Sequence, residues 1–143
     1  MTDTPDKTIL AFDYGTRRIG VAKSDPLGIS VSPVTTLEVS KTRDLWRQIK
    51  QLIEECAPAT IVVGYPELST GERSRKCAEV DRFIERLAEI YSGRIERVDE
   101  AYTSIEAASV VHAHGKKAGR DKKRIDRIAA VIILQRYLEE QHG

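Results

Sequence analysis

Residues 9–12 read Ile-Leu-Ala-Phe, apolar at four consecutive positions, and Asp13 follows at once. A strand with water on one face alternates apolar and polar residues, whereas an unbroken apolar run suits a strand covered on both faces. The segment therefore calls for a sheet with helices above and below. It also leaves a carboxylate at the end of a buried strand, either as a satisfied turn residue or as the first piece of an active site. "DYGT" supplies a turn, with Gly15 suited to a positive φ. "RIGVAKS" resumes as a strand, so residues 8–24 read as a β-hairpin. "ISVSPVTTLEV" is a third strand, and Pro33 places it at an edge or a bulge.

The rest of the chain alternates helix and strand. Leu45, Ile49, Leu52, Ile53 and Cys56 recur at helical spacing. "ATIVVGY" is a short buried strand. Val80, Phe83, Ile84, Leu87 and Tyr91 mark a second helix, and "RIERVD" a fifth strand. "TSIE", residues 103–106, has the capping-box pattern and opens another helix, which Gly115 ends. Ile125, Ile128, Ala129, Ile132 and Leu138 mark a last helix to about residue 140. Three leading strands followed by β and α units in turn predict an α/β fold. Its five-stranded sheet is mixed: the leading strands are antiparallel, and the later two return through right-handed crossovers, parallel to the first. With 143 residues, no repeat and no linker, residues 1–143 read as one domain.

Composition narrows the class. Hydrophobic residues make up 41% and charged residues 31%, which suits a globular protein rather than a disordered one. No apolar run approaches a membrane span, and no signal-peptide pattern is visible, so a cytoplasmic location is expected. Cys56 and Cys77 form no CxxC, and the three histidines, His112, His114 and His142, lack ligand spacing. A cysteine or histidine zinc site is not expected. Net charge is only +1, but residues 116–127, "KKAGRDKKRIDR", hold seven basic residues against two acids. Such a run suits a phosphate backbone as well as a solvated face. The stretch "GKKAGRDKK" lacks apolar anchors and is expected to be mobile without nucleic acid.

Asp13 ends the first strand, Asp99 and Glu100 end the last, and Asp126 lies in the last helix with Ala129 and Ala130 one turn on. Ligands of parallel-type sheets bind at the carboxyl ends of strands. Small residues at i+3 and i+4 let that helix approach the sheet and carry Asp126 toward Asp13. Convergent carboxylates repel one another unless a cation joins them. Oxygen-only ligands suit magnesium or manganese, and a pair of such ions is a standard device for phosphodiester hydrolysis. Each acid also has a plain structural alternative. Asp13 could cap the turn, Asp99 or Glu100 could favour a helix N-terminus, and Asp126 could pair with a basic neighbour on its own helix.

"FDYGTRRIGVAKSD", "VVGYP", "VDEAYTS" and "IDRIAAVIILQRYL" resemble, in order and over nearly the whole chain, the YqgF (RuvX) family of pre-16S rRNA nucleases. That resemblance implies an RNase H-like fold related to Holliday junction resolvases. It implies a bacterial cytoplasmic hydrolase that trims the 5′ end of precursor 16S rRNA in ribosome biogenesis. It also implies that Asp13, Glu100 and Asp126 occupy the family's acidic positions, as catalytic residues and as ligands of two Mg²⁺ or Mn²⁺ ions. The chain departs from the family at Ala101 and Tyr102, where arginine and leucine are usual, and at residues 68–71 after "GYP". Glu67 is a spare carboxylate nearby.

Arg17, Arg18, Lys116, Lys117, Lys122, Lys123 and Arg124 are candidates to grip the backbone of a nucleic acid. The expected partner is precursor rRNA or branched DNA, with the pre-ribosomal particle as the setting and the chain a monomer or weak homodimer. Two rivals stand beside the nuclease. One is a non-catalytic RNA-binding or transcription-associated factor on the same scaffold. The other is an actin-like ATPase, whose phosphate loops share Asp-x-Gly-Thr but occur twice in two related domains.

Overall fold

The computed structural model describes residues 7–40, 42–66, 75–99 and 122–142. Three strands come first: β1 (Ile9–Tyr14), β2 (Arg18–Ser24) and β3 (Val31–Glu38). Then follow α1 (Thr42–Cys56), β4 (Thr60–Tyr65), α2 (Arg75–Ile90), β5 (Arg94–Asp99) and α3 (Lys122–His142). The helix expected from Thr103 falls outside the described residues, as do Glu67, residues 68–71, Ala101 and Tyr102. Most of "GKKAGRDKK" is also outside them, although its last two lysines, Lys122 and Lys123, already belong to α3.

The strands form one sheet in the order β3-β2-β1-β4-β5. β1 pairs antiparallel with β2, and β2 with β3, while β4 runs parallel to both β1 and β5. This is the mixed sheet that the sequence predicts. Pro33 lies on edge strand β3, where the register shifts between Val21 and Ala22, so both expectations for this proline hold. Gly15 differs from its expectation, because the described glycine with positive φ is Gly28. Gly15 is needed for space instead: its N–H donates to the Arg18 carbonyl at 2.9 Å, and a Cβ there would crowd that same oxygen.

Side-chain alternation divides the sheet between two cores. Leu10, Phe12, Ile19, Val21, Ile61 and Val63 face α1 and α2, where they meet Leu45, Ile49, Val80, Phe83 and Leu87. Ile9, Ala11, Ala22, Val62 and Val98 face α3, where they meet Ala130, Ile133, Leu134 and Tyr137. Both faces of β1 are therefore covered, which explains its unbroken apolar run.

The buried face of α3 is the alanine side that the sequence brings toward the sheet, and not the side marked by the isoleucine spacing. Ala129, Ala130, Ile133, Leu134 and Tyr137 are buried, whereas Ile125, Ile128, Ile132 and Leu138 are only partly so. Residues 128–134 are apolar throughout, so spacing alone does not select a face. The sheet takes the side that carries the alanines, where the helix backbone can come closest.

Candidate nuclease site

β1 delivers Asp13 to the carboxyl end of the sheet. Ile9 and Ala11 face α3, so by the period of two Asp13 lies on that face as well. Its cross-strand partner on β2 is Gly20. Directly opposed residues of an antiparallel pair share a face, so Gly20 also lies beneath α3. The α3 backbone passes over Gly20 so closely that a Cβ would overlap the Asp126 carbonyl oxygen. Asp13 and Asp126 are thus brought to one place, with a glycine as the spacer that permits it. A lone glycine inside a strand pattern is the sequence sign of such an approach.

Three contacts fix the start of α3. Arg18 Nε donates to Asp126 Oδ2 at 2.7 Å, and both side chains are about three-quarters buried. The Thr36 hydroxyl donates to the Lys123 carbonyl at 2.7 Å, and Lys123 Nζ lies 3.3 Å from Glu38. Asp126 therefore pairs with a basic residue, but one from β2 rather than from its own helix. Further along α3, Arg136 donates to the Asp99 carbonyl at 3.2 Å and ties the helix to the end of β5. The Tyr137 hydroxyl donates to Glu96 on β5 at 2.5 Å. Burial, reinforced by the Glu96 carboxylate, pushes the Tyr137 phenol up to about 12.

The other acids are distributed differently. Asp99 pairs in register with Tyr65, and both alternate with α3-facing neighbours. Its side chain is therefore on the α1/α2 face, away from Asp13. Glu100 lies outside the described residues. Among the described residues no three acids, histidines or cysteines cluster at metal-binding range. Of the basic candidates, Arg17 and Lys122 are exposed, Lys123 faces Glu38, and Arg18 holds Asp126. Arg124 is partly buried, and Lys116 and Lys117 are not among the described residues. No described helix is long and apolar enough to cross a membrane.

A mixed sheet of this order, covered on both faces, is an RNase H-like fold. Solved structures share it. Thermus thermophilus RuvC in complex with a Holliday junction substrate superimposes with a TM-score of 0.58 at 11% identity, covering 96% of each chain. Fowlpox virus resolvase bound to Holliday junction DNA gives 0.56 at 13% identity, over 95% of this chain and 99% of its own. In sequence, a Chlorobium luteolum protein named "Putative pre-16S rRNA nuclease" is 39% identical over 142 residues, 97% of this chain and 99% of its own. A Streptomyces coelicolor protein of the same name is 39% identical over 133 residues, 92% and 80% of the two chains. The model of the RuvX family, described as Holliday junction resolvase, matches residues 7–140, and the chain belongs to that family.

Proposed function

We propose that the chain is a metal-dependent nuclease that hydrolyses phosphodiesters of precursor 16S rRNA in the cytoplasm, with Asp13 and Asp126 as two of its catalytic acids and Glu100 as the third. The observation that carries this reading is the close approach of the Asp126 backbone to Gly20, the cross-strand partner of Asp13, at the carboxyl end of β1. The family and the names of its relatives support the reaction class.

The donor set fits a hard divalent cation, because both groups offer carboxylate oxygens. Two Mg²⁺ or Mn²⁺ ions, when bound, lower the pKa of a water and neutralise charge on the leaving oxygen. The chain itself supplies position. β1 fixes Asp13 on a strand buried along both faces. Arg18 engages Asp126 Oδ2, which leaves Oδ1 free of that pairing and fixes the rotamer of the carboxylate. Arg17 and Lys122 present exposed cations from the turn after β1 and from the start of α3, where they would meet phosphates without reading bases.

The test is Asp13→Asn, assayed with magnesium and with manganese on precursor rRNA and on a four-way DNA junction. Wild-type protein is expected to cleave the RNA, and the variant to lose at least about a thousandfold in rate at unchanged thermal stability, the scale on which electrostatic catalysis fails. Junction cleavage without RNA cleavage would reassign the substrate. Binding of RNA with no divalent-dependent cleavage would make the chain a non-catalytic binder.

A further inference from the structure

A second feature lies at the same end of β1 but on the opposite face. A cavity of about 300 Å³ opens between the end of β1, α1 and α2. Its floor is Phe83, which is buried. Tyr14 and Trp46 stand against that floor, with ring centroids 4.9 and 5.4 Å from Phe83 and tilts of 37° and 43°. Arg82 and Arg86 are exposed at the rim beside the carboxylate of Glu79, and the Arg86 guanidinium lies 4.6 Å from the centre of the Trp46 ring.

This chemistry is specific in kind. Inclined aromatic rings around a slot offer π-faces to a flat ring, and guanidinium groups at the mouth offer charge to a phosphate. The Arg86 guanidinium covers the Trp46 ring, so a base would stack there only as Arg86 swings out from the ring toward a phosphate. The cavity volume is at the lower end for small-ligand sites, so it suits one base with its sugar rather than a paired duplex. Tyr14 directly follows Asp13, about 3.3 Å further along the strand and facing the other way. A strand of RNA passing over the end of β1 would meet the acids on one side and this slot on the other.

We infer that the Tyr14–Trp46–Phe83 slot binds an unpaired base of the nucleic acid substrate next to the cleaved phosphodiester, with Arg82 and Arg86 on its phosphates. The inference rests on the nuclease reading and extends it: the substrate is single-stranded beside the cut. The slot is sequence-tolerant, because every base has a π-face.

Trp46 is the chain's single tryptophan, so its emission reports on the slot alone. The experiment titrates the full chain, in chelator to prevent cleavage, with a dye-labelled short oligoadenylate and with an abasic strand of equal length. Binding is followed by anisotropy of the dye and by Trp46 fluorescence. Oligoadenylate is expected to quench Trp46 saturably, and the abasic strand to bind about tenfold more weakly without quenching. Arg86→Ala, at an exposed position, is expected to weaken oligoadenylate binding about tenfold as well. Anisotropy binding with unchanged Trp46 emission, or equal affinity in Arg86→Ala, overturns the slot while leaving the nuclease reading intact. Cleavage of precursor rRNA by a protein that binds neither strand does the same. Failure to bind either strand, together with failure to cleave any nucleic acid, overturns both.

Discussion

The two faces of the sheet are built on opposite principles. Toward α1 and α2 the strands present large side chains, Leu10, Phe12, Ile19, Ile61 and Val63, and the helices answer with Ile49, Phe83 and Leu87. Toward the first turns of α3 they present Ala11, Gly20 and Ala22, and the helix answers there with Ala129 and Ala130, with Ile9, Val62, Val98, Ile133, Leu134 and Tyr137 filling the rest of that face. Large residues hold helices away and gain stability from apolar area. Small residues gain less, yet they let backbone approach backbone. Asp13 and Asp126 are on the close face and the aromatic slot is on the distant one. An acid on a strand and an acid on a helix meet only where the layers nearly touch, whereas a slot wide enough for a base needs the layers held apart.

Substitutions can break this contrast, and the largest effect belongs to the bulky face. Phe12 is fully buried and meets Phe83 edge-on at 5.7 Å. Phe12→Ala is expected to cost about 3–5 kcal/mol, read from denaturant unfolding, through the cavity it leaves. On the close face the sharpest probe is alkaline pH. The folded pKa of Tyr137 is raised to about 12 from the ordinary 10.0 of a tyrosine, so the group stabilises the fold fully below pH 10. As pH rises from 10 to 12 the unfolded chain loses a proton that the folded chain keeps, and up to about 3 kcal/mol is lost. Urea titrations across that range should show the decline, and Tyr137→Phe should make it shallower, the remainder coming from Tyr14, Tyr65 and Tyr91, whose phenols burial also raises. A decline of equal size in Tyr137→Phe would place the effect elsewhere.

Gly20→Ala separates the faces most directly. One methyl group would overlap the Asp126 carbonyl, so α3 must shift, at a cost of about 1–3 kcal/mol by overpacking. Because Asp126 moves with the helix, nuclease activity should fall by about a hundredfold, more than stability alone explains. Loss of stability with full activity would show that the close approach does not serve the site. The smallest effect on stability is expected from Arg18→Ala. The Arg18–Asp126 pair is partly exposed, so its removal should cost about 1 kcal/mol or less in thermal unfolding.

Much of the fold is legible from residue order. The apolar run 9–12, the turn after Asp13, Pro33 and the helical spacings of α1 and α2 each point to the element that forms, because period and breakers act locally. The α3 face was legible only in part: Ala129 and Ala130 mark the side that comes close, but residues 128–134 are apolar on every side, and only the sheet separates the buried Ile133 and Leu134 from the partly exposed Ile128 and Ile132. Of the site, Asp13 could be read from its position after a buried strand. Asp99 and Glu100 could not be separated by composition, because alternation in a strand has a phase that only register reveals. That register puts Asp99 on the α1/α2 face, opposite Asp13. Arg18 read as a basic neighbour of the turn, and its pairing with Asp126, 108 residues away, was invisible.

The sequence by itself determined which segments are strands and helices, that helices cover both sides of the sheet, and that an acid closes the first strand. Those properties follow from side-chain period and backbone preference within a few residues. Only the tertiary structure decided that Ile133 and Leu134 rather than Ile128 and Ile132 complete the buried side of α3, that the helix backbone passes closely over Gly20, and that Trp46 and Phe83 open a slot beside Tyr14. These depend on distances between residues far apart along the chain, which packing sets and local preference does not.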